Sequence, residues 1–317
     1  MPDATLSRRQ TLAALAALPA VLGTKSATAQ PGEPLKNAPF KLSLNMSTIM
    51  GHKLGFIGEL ETAAKAGFRS VEIWVGTMQT YLKTNTTAEA RRRISDLGLT
   101  VENAIGFAPW IVDDAAARQK GLEQMKAEME QLAQLGCKRV AAPPIGAHTA
   151  GAPIIDLHRA AERYRTLLEL GEQTGVNPQL ELWGFSPNLN HVSDVLFVAA
   201  EASHPNARLL LDVYHLYKGG SGTVSLPLVG KSAIEVFHVN DYPSTLPAAQ
   251  ITDADRTYPG DGVAPIKAIL NQIQDPARVG RNPSIVISLE VFNKSYYAQP
   301  ADLVAKTAFQ KMQGLVS

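Results

Sequence analysis

Sulfur chemistry is all but missing from this chain: among 317 residues there is one cysteine, Cys137. An intrachain disulfide is thereby excluded, and Cys137, set where a helix passes into a strand, reads as a small buried residue. Charge of one sign is missing too. Thirty basic residues stand against 29 acidic ones for a net charge of +1, with no long run of either. That balance provides no stripe for nucleic acid and no patch for an anionic membrane surface. No G-x-G-x-x-G follows the first strand-like run, which weighs against a dinucleotide-binding sheet. Long hydrophobic runs are scarce: the N-terminal one, Leu12 to Leu22, is too short to span a bilayer.

What is present begins with that run. Ser7-Arg8-Arg9-Gln10-Thr11-Leu12 precedes it, and Ala27-Thr28-Ala29 offers an A-x-A cleavage site. Residues 1–29 are therefore expected to be a signal peptide, removed on export, with no membrane insertion afterwards. The paired arginines resemble the twin-arginine signal, although Thr11 stands where an aromatic is commoner, so a periplasmic or otherwise exported protein is expected. An ordinary secretory signal carrying two arginines is the alternative. A short proline-bearing lead-in, Pro31 to Ala38, follows.

The remainder, residues 30–317, reads as one domain, and 45% hydrophobic residues suffice for one large core. From Lys41 onward strand-like runs alternate with helical stretches. The expected strands are Lys41–Asn45, Ser70–Trp74, Thr100–Ala104, Arg139–Ala142, Gln179–Trp183, Arg208–Val213, Ile234–Val239 and Ile285–Val291. Several are nearly continuous apolar runs, as expected of strands covered on both faces. Helical patterns stop at Ala66-Gly67, Leu97-Gly98, Leu135-Gly136 and Thr174-Gly175, while Thr86-Thr87-Ala88-Glu89 and Ser193-Asp194 mark helix starts. Ala301–Val316 is expected as the last helix. Eight strands with intervening helices in this length predict an α/β fold, the (β/α)₈ TIM barrel, over a doubly wound sheet.

In such a barrel the reactive groups stand where strands end and βα loops begin. Four consecutive strands end in Leu180-Glu181-Leu182-Trp183, Leu211-Asp212-Val213-Tyr214-His215, Phe237-His238-Val239-Asn240 and Leu289-Glu290-Val291. A charge inside an apolar run is costly to bury unless paired or bound to a metal. Any one of the four is more simply a structural ion pair or core histidine. Four at one depth of consecutive strands point to a site. Three carboxylates and an imidazole suit Mn²⁺, Co²⁺ or Mg²⁺ better than a sulfur-rich zinc site would.

These segments, LELWGF, LLLDVYH, FHVND and ISLEVF, resemble the xylose isomerase-like barrels, the superfamily of sugar isomerases, ketose 3-epimerases and inosose dehydratases. The resemblance runs from about Asn45 to the C-terminus. It implies one divalent ion held by Glu181, Asp212, His238 and Glu290, with the two glutamates as catalytic base and acid. It implies that His215 contacts substrate. It also matches Arg256-Thr257-Tyr258-Pro259-Gly260-Asp261-Gly262 to a loop whose arginine contacts substrate or positions the site; a surface arginine on a turn is the plain alternative. The chain departs from the ketose 3-epimerases at Ser186-Pro187-Asn188, where they carry another acidic residue.

The function this resemblance implies is isomerisation or epimerisation of an unphosphorylated sugar or sugar-derived ketone, by proton abstraction next to a carbonyl through an enediolate. A lyase or dehydratase that ends the same abstraction in β-elimination is the alternative; a non-catalytic sugar-binding barrel is a third reading. The partner implied is a small carbohydrate, and homo-oligomerisation is left open. Trp74, Trp110 and Trp183 lie at or after strand ends, where a sugar's apolar face stacks or the barrel top packs; Trp110, in a loop, and Trp183 are the preferred substrate contacts. Glu72, inside the second strand, either joins the site or pairs with a buried base. The Tyr217–Gly222 loop is either a substrate wrap or plain flexible chain. His52, His148, His158, His191 and His204 are not expected to be ligands.

Overall fold

The computed structural model describes residues 40–274 and 285–316; the expected signal peptide and the lead-in lie outside them. Eight strands run in parallel: β1 Phe40–Asn45, β2 Ser70–Trp74, β3 Thr100–Ile105, β4 Arg139–Ala142, β5 Asn177–Glu181, β6 Leu209–Asp212, β7 Ile234–Val239 and β8 Ile285–Leu289. They pair in the order β3-β2-β1-β8-β7-β6-β5-β4, and β3 and β4 lie side by side at the seam. The result is a nearly closed barrel. Helices surround it: α1 Ser47–Met50, α2 Gly55–Ala66, α3 Val75–Leu82, α4 Thr87–Asp96, α5 Ala115–Leu135, α6 Leu157–Thr174, α7 Val192–Glu201, α8 Val213–Gly219, α9 Ile266–Ile273, α10 Lys294–Tyr297 and α11 Ala301–Val316. Among the described residues no helix is long and apolar enough to cross a membrane.

Local chemistry accounts for several boundaries. Thr86 caps α4 by accepting from Glu89 N, and Asp114 and Asp156 cap α5 and α6 in the same way. Gly136 ends α5 at φ 86°, a left-handed conformation that a side chain disfavours. The start of α7 differs from the expected Ser193-Asp194. Its first residue is Val192, whose N–H is received by Ser221 Oγ from another loop, so a tertiary contact replaces the local cap. Strand β6 stops at Asp212 because that carboxylate accepts from His215 N and caps α8, making Val213 already helical. Strand β5 is displaced toward the N-terminus, and after Glu181 the chain turns, with Ser186 N donating to Trp183 O. Gly184 makes the turn possible: a Cβ there would stand 2.2 Å from His215 O.

Strand alternation sorts the barrel interior. A charged network occupies one end, where Lys41 pairs with Glu102, Arg139 with Glu102 and Glu235, and Arg208 with Glu235. A small apolar cluster of Ile105, Ala141, Leu210, Val236 and Val286 comes next. Leu210 stands between Arg208 and Asp212, and Val236 between Glu235 and His238. At the C-terminal ends of the strands the interior turns polar again, and that layer is the site. The main core lies between strands and helices and includes Cys137, fully buried as expected.

Candidate active site

Strand register builds the site. Asp212 on β6 pairs with His238 on β7, and His238 pairs with Ser288 on β8, one residue pair below Glu290. Across the barrel Asn45 on β1 pairs with Glu72 on β2, which pairs with Asn103 on β3. Two arcs of inward-facing polar side chains thus meet at one depth.

His238 is their centre and is wholly buried. Its Nδ1 lies 3.2 Å from Glu290 Oε2, 3.8 Å from Asp212 Oδ2 and 4.0 Å from Glu181 Oε1. Ligand atoms of Asp212, His238 and Glu290 all lie within 4.8 Å of one another. Glu181 borders that trio through its approach to Nδ1. The four side chains expected to hold a metal therefore converge. Whether they fit an ion is answered by the buried atoms themselves: His238 Nδ1 and Glu181 Oε2 make no hydrogen bond. Unpartnered donor atoms facing a carboxylate cluster are costly in a folded protein and suit a divalent cation with oxygen and nitrogen ligands.

Arg256 closes the site from the loop after β7. It is not a surface arginine: it is 1% exposed. Its Nη1 donates to Glu290 Oε2 at 2.7 Å and to Asp212 Oδ2 at 3.1 Å, and Nη2 reaches Asp253 and His215. Its guanidinium lies 4.2 Å from the Tyr214 ring centre and 5.1 Å from that of Phe292. Asp241 holds the loop in place by accepting from the backbone N–H groups of Tyr242, Gly260 and Ala264. His215, expected as a substrate contact, sits beside Arg256 and beneath the rings of Trp183 and Phe185. Burial and the neighbouring guanidinium hold its imidazole well below the usual histidine range, hence neutral.

The two glutamates differ electrostatically. Burial pushes the Glu181 carboxyl up to about 8, with His238 pulling the other way. Burial acts upward on Glu290 as well, but His238 and Arg256 outweigh it and hold that carboxyl well below the usual range. For His238 burial disfavours charge, yet Glu290 and Glu72 raise its affinity for a proton; an ion bound at Nδ1 would displace that proton.

An aromatic wall rises above these groups. Trp183 lies 5.1 Å from Phe185, 5.3 Å from His148 and 6.3 Å from Phe107, and Trp74 lies 5.3 Å from Phe107 and 6.1 Å from Phe292. Phe107 and Phe185 are exposed. Trp110 is not part of this wall, which corrects the expectation for it. It is fully buried, donates its indole N–H to Pro143 O and packs against Tyr164. Sequence does not record which way a loop aromatic turns.

Sequence reasoning passed over Asn45 and Asn240. Asn240 Nδ2 bridges Asp212 Oδ2 and the Glu290 carbonyl, while Asn45 Nδ2 donates to Glu72 and Glu290. Each ends or follows an apolar strand, so the rule that selected the charged residues would have selected them had it covered amides. Phe107, Phe292 and Asp253 carried no signal of that kind.

A sequence profile described as a xylose isomerase-like TIM barrel matches residues 60–313. An inosose isomerase of Bacillus velezensis is 26% identical over 281 residues, spanning 87% of this chain and 97% of that protein. A crystal structure of the IolI protein with a binding zinc atom superposes with a TM-score of 0.79 at 23% identity, over 88% of this chain and 98% of that one. A structure of L-ribulose 3-epimerase does so with a TM-score of 0.63 at 18% identity, over 87% and 94%. At these identities the two superpositions establish the shared fold.

Proposed function

Because the chain belongs to the xylose isomerase-like TIM-barrel family, we propose that it is a divalent-metal-dependent isomerase or epimerase of a sugar or sugar-derived ketone, moving a proton next to a carbonyl through an enediolate. The observation that carries this reading is the convergence of Glu181, Asp212 and Glu290 on the unpartnered Nδ1 of His238. The relative named inosose isomerase supports the reaction type, and the zinc in the IolI structure supports a divalent ion.

Glu181, Asp212, His238 and Glu290 would hold the ion, which supplies Lewis-acid polarisation of the substrate carbonyl and its neighbouring hydroxyl. The chain's own groups do the rest. Burial raises the pKa of the Glu181 carboxyl in the metal-free protein, and once ionised it would accept the carbon-bound proton. Glu290, kept ionised by His238 and Arg256, would first take a proton from water or a substrate hydroxyl and then, as the weaker base, pass it to carbon. Arg256 and the neutral His215 lie where they orient substrate oxygens, and Trp183 with Phe185 and Phe107 offers faces against which a ring's C–H groups stack.

The test has two parts. Elemental analysis of purified protein is expected to find one divalent ion per chain, and Asp212→Asn is expected to lose most of it; unchanged content in the variant removes Asp212 from the site. Turnover in D₂O is expected to place deuterium at the reacting carbon with no other change in mass. An unlabelled product of equal mass would point to a hydride shift, and one lighter by water or an alcohol to elimination. For the leader, we propose twin-arginine export to the periplasm, and replacing Arg8 and Arg9 by lysine should leave unprocessed precursor in the cytoplasm.

A further inference from the structure

Glu72 lies outside the proposed ligand set, yet its carboxylate carries four hydrogen bonds to side chains of the site. It is 0% exposed. Its Oε1 receives Asn103 Nδ2 at 2.6 Å and His238 Nε2 at 3.0 Å; its Oε2 receives Ser288 Oγ at 2.7 Å and Asn45 Nδ2 at 2.8 Å. Four donors on two carboxylate oxygens use every lone-pair direction.

The donor sense of this network can be worked out from groups that have no choice. An indole N–H and a backbone N–H only donate. Both Trp74 Nε1, at 3.0 Å, and Ser47 N, at 2.9 Å, meet Asn45 Oδ1. The Asn45 amide is therefore fixed in orientation, and its two N–H groups must go to Glu72 Oε2 and Glu290 Oε1, at 2.8 and 3.0 Å. With Ser288 Oγ and Asn103 Nδ2 donating to its remaining positions, the Glu72 carboxylate has no lone pair left for a hydrogen of its own. The contact at 3.0 Å to His238 is then an N–H donated from Nε2. Nε2 keeps that hydrogen, so Nδ1 is the nitrogen left for an ion. Nδ1 is also the atom that faces the three proposed carboxylate ligands without a hydrogen bond.

We propose that Glu72, oriented by Asn45, Asn103 and Ser288, is a positioning residue that fixes the tautomer and ring orientation of His238 and thereby sets the metal affinity of the site. The proposal rests on the metal reading above. A carboxylate behind a ligating imidazole raises its donor strength, and losing such a partner costs about 10–100-fold in affinity. Asn45 extends the effect, because the same amide also holds Glu290 and is itself held by Trp74 at the aromatic wall.

Two measurements with Zn²⁺ alone decide it. In zinc-loaded protein labelled with ¹⁵N-histidine, the ring signals assigned to His238 by their absence in His238→Asn are expected to show a hydrogen on Nε2 and zinc on Nδ1. The reverse pattern overturns the relay, and this measurement needs no Glu72 variant to fold. Competition titration with a chelator is expected to give Glu72→Gln a zinc Kd about 10–100-fold weaker than wild type, with the circular dichroism of the two proteins alike. Equal affinity overturns the relay while leaving the metal site standing. Wild-type protein that takes up no zinc overturns the metal reading itself, and the relay with it.

Discussion

At the scale of single residues, the site concentrates charge where solvent cannot moderate it. Glu181, Asp212, His238, Arg256 and Glu290 are each 0–4% exposed. A proton carrier in such a place is sensitive to one atom. Glu181→Gln and Glu290→Gln are each expected to lower kcat by at least about 10²-fold, measured with metal content in parallel, since loss of the ion would mimic the effect. Near-normal kcat in either variant removes its residue from proton transfer. The tryptophans separate along another line. Trp110→Ala removes a core ring and should cost about 3–5 kcal/mol of unfolding free energy with KM little changed. Trp183→Ala should raise KM by about tenfold, the worth of one lost stacking contact of about 1.4 kcal/mol. Urea titration and steady-state kinetics on both variants check the pair, and a KM effect confined to Trp110 would reverse the assignment.

At the scale of elements, α2 carries a cost that its helical pattern does not announce. Glu59 is 4% exposed, and burial pushes its carboxyl up to about 7 from an ordinary value of 4.5. Between those two pH values the folded chain holds a proton that the unfolded chain has released. Stability contributed by this group is therefore full below about pH 4.5 and falls as pH rises toward 7. Glu59→Gln is expected to match wild type near pH 4.5 and to exceed it by about 1–3 kcal/mol at pH 8, read as the difference between two urea titrations. Glu181 adds a slope of the same sign in metal-free protein, and it cancels in that difference. A variant no more stable than wild type at pH 8 would mean that Glu59 is ionised at little cost. In α4, by contrast, the local signal is the whole story: the Thr86 side chain caps the helix as its sequence suggests, and Thr86→Ala should cost about 1 kcal/mol.

At the scale of the whole molecule, the barrel divides its labour between its two ends. Arg139, held by Glu102 and Glu235, belongs to the charged end opposite the site. Removing it leaves two largely buried carboxylates short of a partner. Arg139→Ala is expected to cost on the order of 3 kcal/mol in stability, with kcat and KM near wild type because the catalytic end is untouched. A specific fall in kcat at a temperature where the variant is folded would show that the two ends are coupled. The apolar cluster of Ile105, Ala141, Leu210, Val236 and Val286 is what separates them.

The sequence alone determined that there is a barrel and where its strands run, because buried parallel strands must be apolar and helices must stop before them. Ser70–Trp74, Arg139–Ala142 and Ile234–Val239 run between the expected residues, and Ala301–Val316 is the last described helix. It also singled out Glu181, Asp212, His238 and Glu290, since a charge at the end of an apolar strand stands out against its neighbours. Tertiary structure alone decided that the three carboxylates converge on His238 Nδ1, that Arg256 is buried among them, that Trp110 turns inward, and that Ser221 rather than Ser193 receives the first N–H of α7. It alone joined Trp74, Asn45, Glu72 and His238 into one hydrogen-bonded line. The reason is the same in each case. Periodicity and burial cost are properties of a segment, whereas a hydrogen-bond partner 166 residues away, as Glu72 is from His238, is set by strand register and barrel closure.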